Sequence, residues 1–474
     1  VPSITASPSR RALLQAGAAA LLPWLGACTG VQRLPAHPHY GPLQPVVDDT
    51  TGRPLLQLPA GFRYLSFGWT GDPLADGTPT PAAHDGMAVV AVQGEVVTLV
   101  RNHELAGTAG AFAAGVPTWD PVAGGGTTTL RFSTAGGGRW LDARASLAGT
   151  TFNCAGGPTP WGSWLTCEES TFGPHSGHTR THGWVFEVPA AGVASARPLT
   201  GLGNFVHEAA AVDPATGTVY LTEDAPNGGF YRFLPSAPGR LAEGGRLQMM
   251  KLAAAPNTTV MADGQARPLF DLGVGHAPAS RWDVAWVDIE DPTRQFQRAA
   301  PQPRTPGGVH AQGFAQGATS VRRGEGCWCG DGRVFFASTS GGAARQGQVF
   351  MLDPKAQTLT LLYESPGKAQ LSMPDNLALS PRGGLALCED GDNLPQSLRG
   401  LTRSGEVFPL LANHVDLSAS GSGALQRPGG RRFDRDFRGS ELAGVSFHGD
   451  WLFFNIQRPG ISFAVTGPWG QGGL

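Results

Sequence analysis

Lysine is nearly missing from this 474-residue chain: Lys251, Lys355 and Lys368 are its three occurrences among 35 basic residues. Charge of either sign is scarce, at 15% of residues, where an ordinary soluble domain has roughly 25%. The formal net charge is −2, so the basic surplus of a nucleic-acid binder is absent. That near-neutrality, with 41% hydrophobic residues, also excludes a charge-driven disordered chain. Beyond the N-terminal segment no run approaches the ~18 consecutive apolar residues of a membrane-spanning helix. What abounds is glycine, 68 residues, and proline, 39. That wealth excludes a coiled coil or helical repeat and points to an all-β chain of short strands and many turns.

Residues 1–30 read as an export signal. Ser9-Arg10-Arg11-Ala12-Leu13-Leu14 precedes an apolar stretch from Ala16 to Ala27. A twin-arginine start before a short apolar run addresses a pre-folded protein to the twin-arginine translocase. The stretch ends at Cys28, which has the setting of a lipoprotein acylation site and so of a lipid anchor. A periplasmic or extracellular monomer is expected, with a linker over 31–45 and a single domain over 46–474. Setting Cys28 aside leaves Cys154, Cys167, Cys327, Cys329 and Cys388. Five thiols cannot all pair, so at least one is free, reactive or a ligand.

The body repeats itself six times. Val96–Glu104, Trp164–Glu169, Val219–Asp224, Val334–Thr339, Leu385–Asp390 and Trp451–Gln457 are each β-branched or aromatic at the start and polar at the end. Upstream of each lies an element that starts polar and continues small and apolar, as in His84-Asp85-Gly86 or His207-Glu208-Ala209-Ala210. Such hairpins, recurring at roughly 50–65 residues, are the pattern of propeller blades. The fold class expected is therefore an all-β, six-bladed β-propeller. A wider gap between the third and fourth repeats places an insertion around Leu241–Val309.

In a propeller the first strand of each blade lines the central channel. Asp85, Cys154, Glu208, Glu325, Asp375 with Asn376, and Glu441 then converge on one mouth, and Glu389, one residue before the end of the fifth repeat, is counted with them as a candidate metal ligand. Several carboxylates and a thiol repel one another unless cations neutralise them. Carboxylate and amide oxygens suit calcium, whereas a thiolate among them calls for a transition metal such as iron. Any one of these acids, taken alone, reads more readily as a turn or capping residue; their recurrence at corresponding positions argues for a metal site. Cys327-Trp328-Cys329 has ligand spacing, but its neighbours read as a turn between strands.

The run Asn153-Cys154-Ala155-Gly156-Gly157-Pro158-Thr159-Pro160-Trp161-Gly162-Ser163-Trp164-Leu165-Thr166-Cys167-Glu168-Glu169 resembles the hallmark of the PhoX-type alkaline phosphatases. Arg101-Asn102-His103-Glu104, Val206-His207-Glu208, Arg323-Gly324-Glu325-Gly326, Pro374-Asp375-Asn376 and Cys388-Glu389-Asp390 support the likeness. The resemblance implies hydrolysis of phosphate monoesters on a mixed iron–calcium cluster. It implies iron ligands at Cys154, Glu208 and Glu325, a phosphate-binding arginine at Arg323, and a polar phosphate-side residue at Asn102. The chain departs from the pattern in one respect. The resemblance implies a lysine upstream of the cysteine, yet the first lysine is Lys251, which either leaves phosphate binding to Arg101 or Arg323 or points to a different substrate. Two other readings stay open on the residues alone. A calcium-dependent propeller lactonase or esterase gathers Glu, Asn and Asp in the same way, and an exported interaction platform would hold calcium structurally.

Overall fold

Alternating β-branched and aromatic residues between turn signals favour extended chain, because one face of each strand can then bury its side chains. The computed structural model describes residues 39–262, 265–295 and 308–474 and bears this out: strands dominate, and Gly308–Ala315 is the one α-helix among the described residues. The export signal and Cys28 lie outside the described residues. Packed structure starts sooner than the expected linker end at residue 45. The Tyr40 ring lies edge-on to Phe62 and Trp469, and Gln44–Val47 is already a strand.

Six strands form the inner wall: His84–Gln93, Asn153–Pro158, His207–Val212, Gly324–Gly330, Pro374–Leu379 and Leu442–His448. Each touches the next, and the last touches the first, so they close a ring. Each is the first strand of an antiparallel sheet whose second strands are Val96–His103, Ser163–Glu168, Val219–Glu223, Arg333–Ser338, Leu385–Glu389 and Trp451–Ile456. This is the expected β-propeller. The ring leaves little room at the axis. A methyl group on Gly86 would lie 2.7 Å from the Ala155 Cα, and one on Gly157 would lie 1.6 Å from the Ala210 carbonyl oxygen.

Strands also pair outside their own stretch of the chain. Arg281–Asp288 extends the third sheet along Gly245–Leu252 and also pairs with Thr358–Glu364 of the fourth, welding the two into one nine-stranded sheet. This strand, the hairpin Thr258–Ala262 with Gln265–Leu269, and the helix occupy the region where the insertion was expected. In the sixth sheet, Arg63–Phe67 pairs with Ile461–Thr466, so an early strand completes the last blade. Apolar layers fill the gaps between sheets; Phe230, Phe336 and Phe350 stack there at centroid separations of 4.3 and 5.1 Å. Each such ring removed from water contributes about 1.5–3 kcal/mol.

One irregularity recurs in all six blades. Just inside each inner strand, two residues oppose one on the partner, between His84 and Met87, Asn153 and Gly156, His207 and Ala210, Gly324 and Cys327, Pro374 and Leu377, and Ala443 and Ser446. A bulge bends its strand and re-aims side chains. The same place is closed by one backbone hydrogen bond in every blade. The N–H of Glu104, Glu169, Asp224, Thr339, Asp390 and Gln457 donates to the carbonyl of Ala83, Phe152, Val206, Arg323, Met373 and Glu441, at 2.8–3.2 Å.

Candidate metal centre

That shared hydrogen bond sorts the mouth of the channel into three tiers. The rim holds the six acceptor residues. Two positions further along lie the lead residues Asp85, Cys154, Glu208, Glu325, Asp375 and Ala443. The six donors, just past the ends of the second strands, make the third tier. Four blades supply a lead carboxylate and one a thiol. The sixth has Ala443 and supplies its acid, Glu441, from the rim.

The tiers bring their side chains together in three groups whose ligand atoms lie within 4.8 Å of one another: Glu208, Glu325 and Asp375; Asp85, Glu104 and Glu441; and Glu104, Cys154 and Glu169. Glu104 belongs to two groups. The Cys154 thiol donates to Glu208 Oε1 at 3.3 Å, tying the thiol group to the first. Arg323, on the rim of the fourth blade, donates through Nε and Nη2 to Asp224 at 2.9 and 3.3 Å, and through Nη2 to Glu325 Oε1 at 2.8 Å. Gln457 donates to Asp85 and to Glu104 at 3.1 and 2.7 Å.

Charge here is badly out of balance. Burial first, and the neighbouring carboxylates second, push Asp85, Glu208, Glu325 and Glu441 well above the ordinary carboxyl range and Asp375 up to about 7. The same two causes push the Cys154 thiol far up. For Arg323, burial disfavours the charge, but Glu325 and Asp224 outweigh it and hold the guanidinium protonated beyond its usual range. One guanidinium cannot offset seven carboxylates and a thiol. The residues fit bound cations on a further observation: Glu208 Oε2 is buried without a hydrogen-bond donor among the described residues. Two groups are all oxygen, the donor type of hard cations, and one mixes oxygen with sulfur, which admits a transition metal.

Not every residue expected at the site reaches it. Asn102 is fully buried, and its hydrogen-bonding capacity is spent on the scaffold. Its amide donates to the Cys154 and Ala155 carbonyls at 2.9 and 2.7 Å, while its oxygen accepts from Trp164 and Thr166, both at 2.9 Å. An amide has two donors and two acceptor sites, so Asn102 positions the Cys154 backbone and has nothing left for a phosphate. Arg101 is likewise fully buried, donating to the Gly68 carbonyl and Ser462 Oγ and lying against His84 Nδ1. Asn376 accepts from the Val445 N–H at 3.2 Å, a brace between the fifth and sixth inner strands.

Glu389 faces away from the three groups. It pairs with Arg399 at 3.1 Å and accepts the Ser372 N–H at 2.8 Å. Its neighbour Asp390 raises the pKa of both Asp375 and Glu441, and so faces the mouth instead. The same doublet occurs twice more. Glu168 is held by His182 at 2.6 Å and by the Thr151, Gly183 and Trp184 N–H groups, while Glu169 joins the thiol group. Glu223 accepts from Tyr231 at 2.6 Å and lies 3.2 Å from His310 Nδ1, while Asp224 meets Arg323. Glu104, Glu169, Asp224 and Asp390 were therefore missed as site residues. The acidic ends of the repeated runs were the signal for them. All five described cysteines are free. Cys327 and Cys329 lie outside the three groups, in or against an apolar cluster between sheets.

Over residues 39–146 and 135–460 the chain matches the family Alkaline phosphatase PhoX. Among solved structures it is similar to Pseudomonas fluorescens PhoX in complex with vanadate, a transition state analogue. The two share 16% identity, with 92% of this chain and 99% of that one covered and a TM-score of 0.62. A gluconolactonase of Xanthomonas campestris matches at 12% identity over 92% and 100% of the two chains, with a TM-score of 0.38. No curated protein matches the chain. The solved phosphatase shares the propeller fold, and the family segments take in every lead and rim residue named above. The chain thus belongs to the PhoX alkaline phosphatase family, and it is a metal-dependent phosphatase.

Proposed function

We propose that this protein hydrolyses phosphate monoesters at the channel mouth, with iron held by the group of Cys154, Glu104 and Glu169 and calcium by the all-carboxylate groups. The observation that carries the reading is the convergence of three ligand groups and one positioned guanidinium on a single mouth. Cations bound there would neutralise the ester's negative charge and acidify water. Cys154 and Glu104 are placed to hold the ion that takes sulfur. Glu208, Glu325 and Asp375 on one side, and Asp85 and Glu441 on the other, offer oxygens alone. Glu169 closes the thiol group from the second blade.

Arg323 is the group on this chain suited to hold the phosphoryl oxygens. Its Nη1 makes no hydrogen bond among the described residues, while Nε and Nη2 are anchored by Asp224 and Glu325. A guanidinium fixed on one edge presents the rest of its fork without reorganising, which favours the two-pronged recognition that phosphate oxygens accept. Asp224 is a positioning residue in this scheme. The reading also has the protein exported by the twin-arginine translocase to the periplasm or beyond, as the Arg10-Arg11 segment suggests, with Cys28 as its lipid anchor. Metal-replete protein should hydrolyse p-nitrophenyl phosphate between pH 7 and 10 and yield iron and calcium on elemental analysis. Protein that carries both metals and turns over no phosphate ester would refute it.

A further inference from the structure

The rim tier has a second feature. Ala83, Phe152, Arg323 and Met373 share not only the hydrogen bond described above but also a left-handed backbone, with φ of +52°, +46°, +48° and +49°. Residues with a β-carbon avoid this region, and bulky ones most of all. Held strain of this kind gathers where a side chain must be aimed. Arg323 is one such side chain, and its guanidinium reaches the centre. Phe152 and Met373 start from the same backbone position and conformation in the second and fifth blades, and both are half-buried rather than packed away. The Phe152 ring meets Phe172 at 5.7 Å, and Phe172 stacks on His178 at 5.3 Å, extending the apolar surface outward along the loop that follows Glu169. The rim therefore carries a cation at Arg323 and, elsewhere on the same circle, an aromatic shelf and a thioether.

We infer that Phe152, backed by Phe172 on a rim that also carries Met373, forms the subsite for the leaving group, and that it selects phosphate monoesters of aromatic alcohols over those of polyols. The inference rests on the phosphatase reading and adds a substrate class to it. An aromatic leaving group stacks on the shelf while the phosphoryl group lies toward Arg323. A glycerol leaving group has no π-face to offer and must shed water against apolar carbon. Phe152 is a specificity residue here and takes no part in bond making or breaking.

The test is the ratio of kcat/KM for phenyl phosphate to that for glycerol 2-phosphate, measured on wild type, Phe152→Gly and Phe172→Ala with metals bound. Glycine suits the φ of +46°, so Phe152→Gly removes the ring without asking the backbone to move. An aromatic contact of this kind predicts a ratio lower by about five- to tenfold in Phe152→Gly, and a smaller fall in Phe172→Ala. A Phe152→Gly enzyme that hydrolyses both esters with an unchanged ratio overturns the subsite and leaves the phosphatase reading standing. Wild-type protein that hydrolyses neither ester overturns both.

Discussion

Replacing Arg323 by lysine keeps the positive charge at the rim and removes the planar fork. The charge has to stay, because Asp224 and Glu325 are both almost wholly buried beside it. Leaving them without a cation would cost about 3–5 kcal/mol, the usual penalty for breaking a buried ion pair. Lysine meets that need with three donors radiating from one nitrogen. It cannot span Asp224 and Glu325 at 2.8–3.3 Å and still present a second nitrogen to the ester. One charge-assisted hydrogen bond to the phosphoryl group is therefore lost, worth about 1.5–3 kcal/mol. That range converts to a fall of about 10- to 150-fold in kcat/KM. Steady-state hydrolysis of p-nitrophenyl phosphate, with iron and calcium measured on the same samples, reads the effect directly. Backbone strain does not confound the comparison, since arginine and lysine pay alike for the left-handed conformation. If the lysine variant holds its metals and keeps kcat/KM within twofold of wild type, the assignment of Arg323 to phosphoryl binding is wrong.

Further outcomes follow from the same geometry. Glu208→Gln should lower the metal content of purified protein, because the buried Oε2 is replaced by an amide that binds cations poorly; unchanged elemental analysis would count against Glu208 as a ligand. Metal removal should also change how stability depends on pH. Asp375 has a folded pKa pushed up to about 7, first by burial and then by Asp390, against 3.8 for the free group. The folded state thus holds its proton more tightly than the unfolded state does. Stability of chelated protein should fall as pH rises from near 4 to about 7, whereas the metal-loaded protein should lack this decline; thermal melts of both forms across that window decide it. Asn102→Ala should destabilise by on the order of 3 kcal/mol, since it leaves the Trp164 indole N–H and the Cys154 and Ala155 carbonyls without partners. Urea unfolding should show that loss, and an Asn102→Ala protein of unchanged midpoint would return Asn102 to consideration as a substrate contact.

The repeats were legible because a propeller writes its blades one after another, each with a β-rich run and a small-residue strand before it. Cys154, Glu208, Glu325 and Asp375 were legible for the same reason, as the ligand-type residue at the second position of each small-residue strand. What could not be read was which acid of each doublet turns inward. Glu168-Glu169, Glu223-Asp224 and Glu389-Asp390 look alike as sequence, and strand alternation sends one of each pair to either face. The choice depends on where the bulge falls and on where His182 from a loop, His310 from the helix and Arg399 from an outer strand arrive to hold the other member. Asn102 was misread for a related reason. Its neighbourhood resembles a phosphate-side motif, but its four hydrogen bonds run to the backbone and side chains of the next blade, and that contact exists only once the first two blades have packed together.

Closure itself carries a consequence for how the protein is made. Arg63–Phe67 finds its partner in Ile461–Thr466, so the sixth sheet joins stretches about 400 residues apart along the chain, a separation whose entropic cost grows only logarithmically. During synthesis the early strand emerges long before its partner and must wait with an unpaired edge, a template for mispairing with another chain. The candidate ligands wait with it, because Asp85 and Glu104 come from the first blade and Glu441 from the sixth. A three-carboxylate group there can thus form only once the sixth blade has packed against the first, which ties ion capture at that group to closure of the ring.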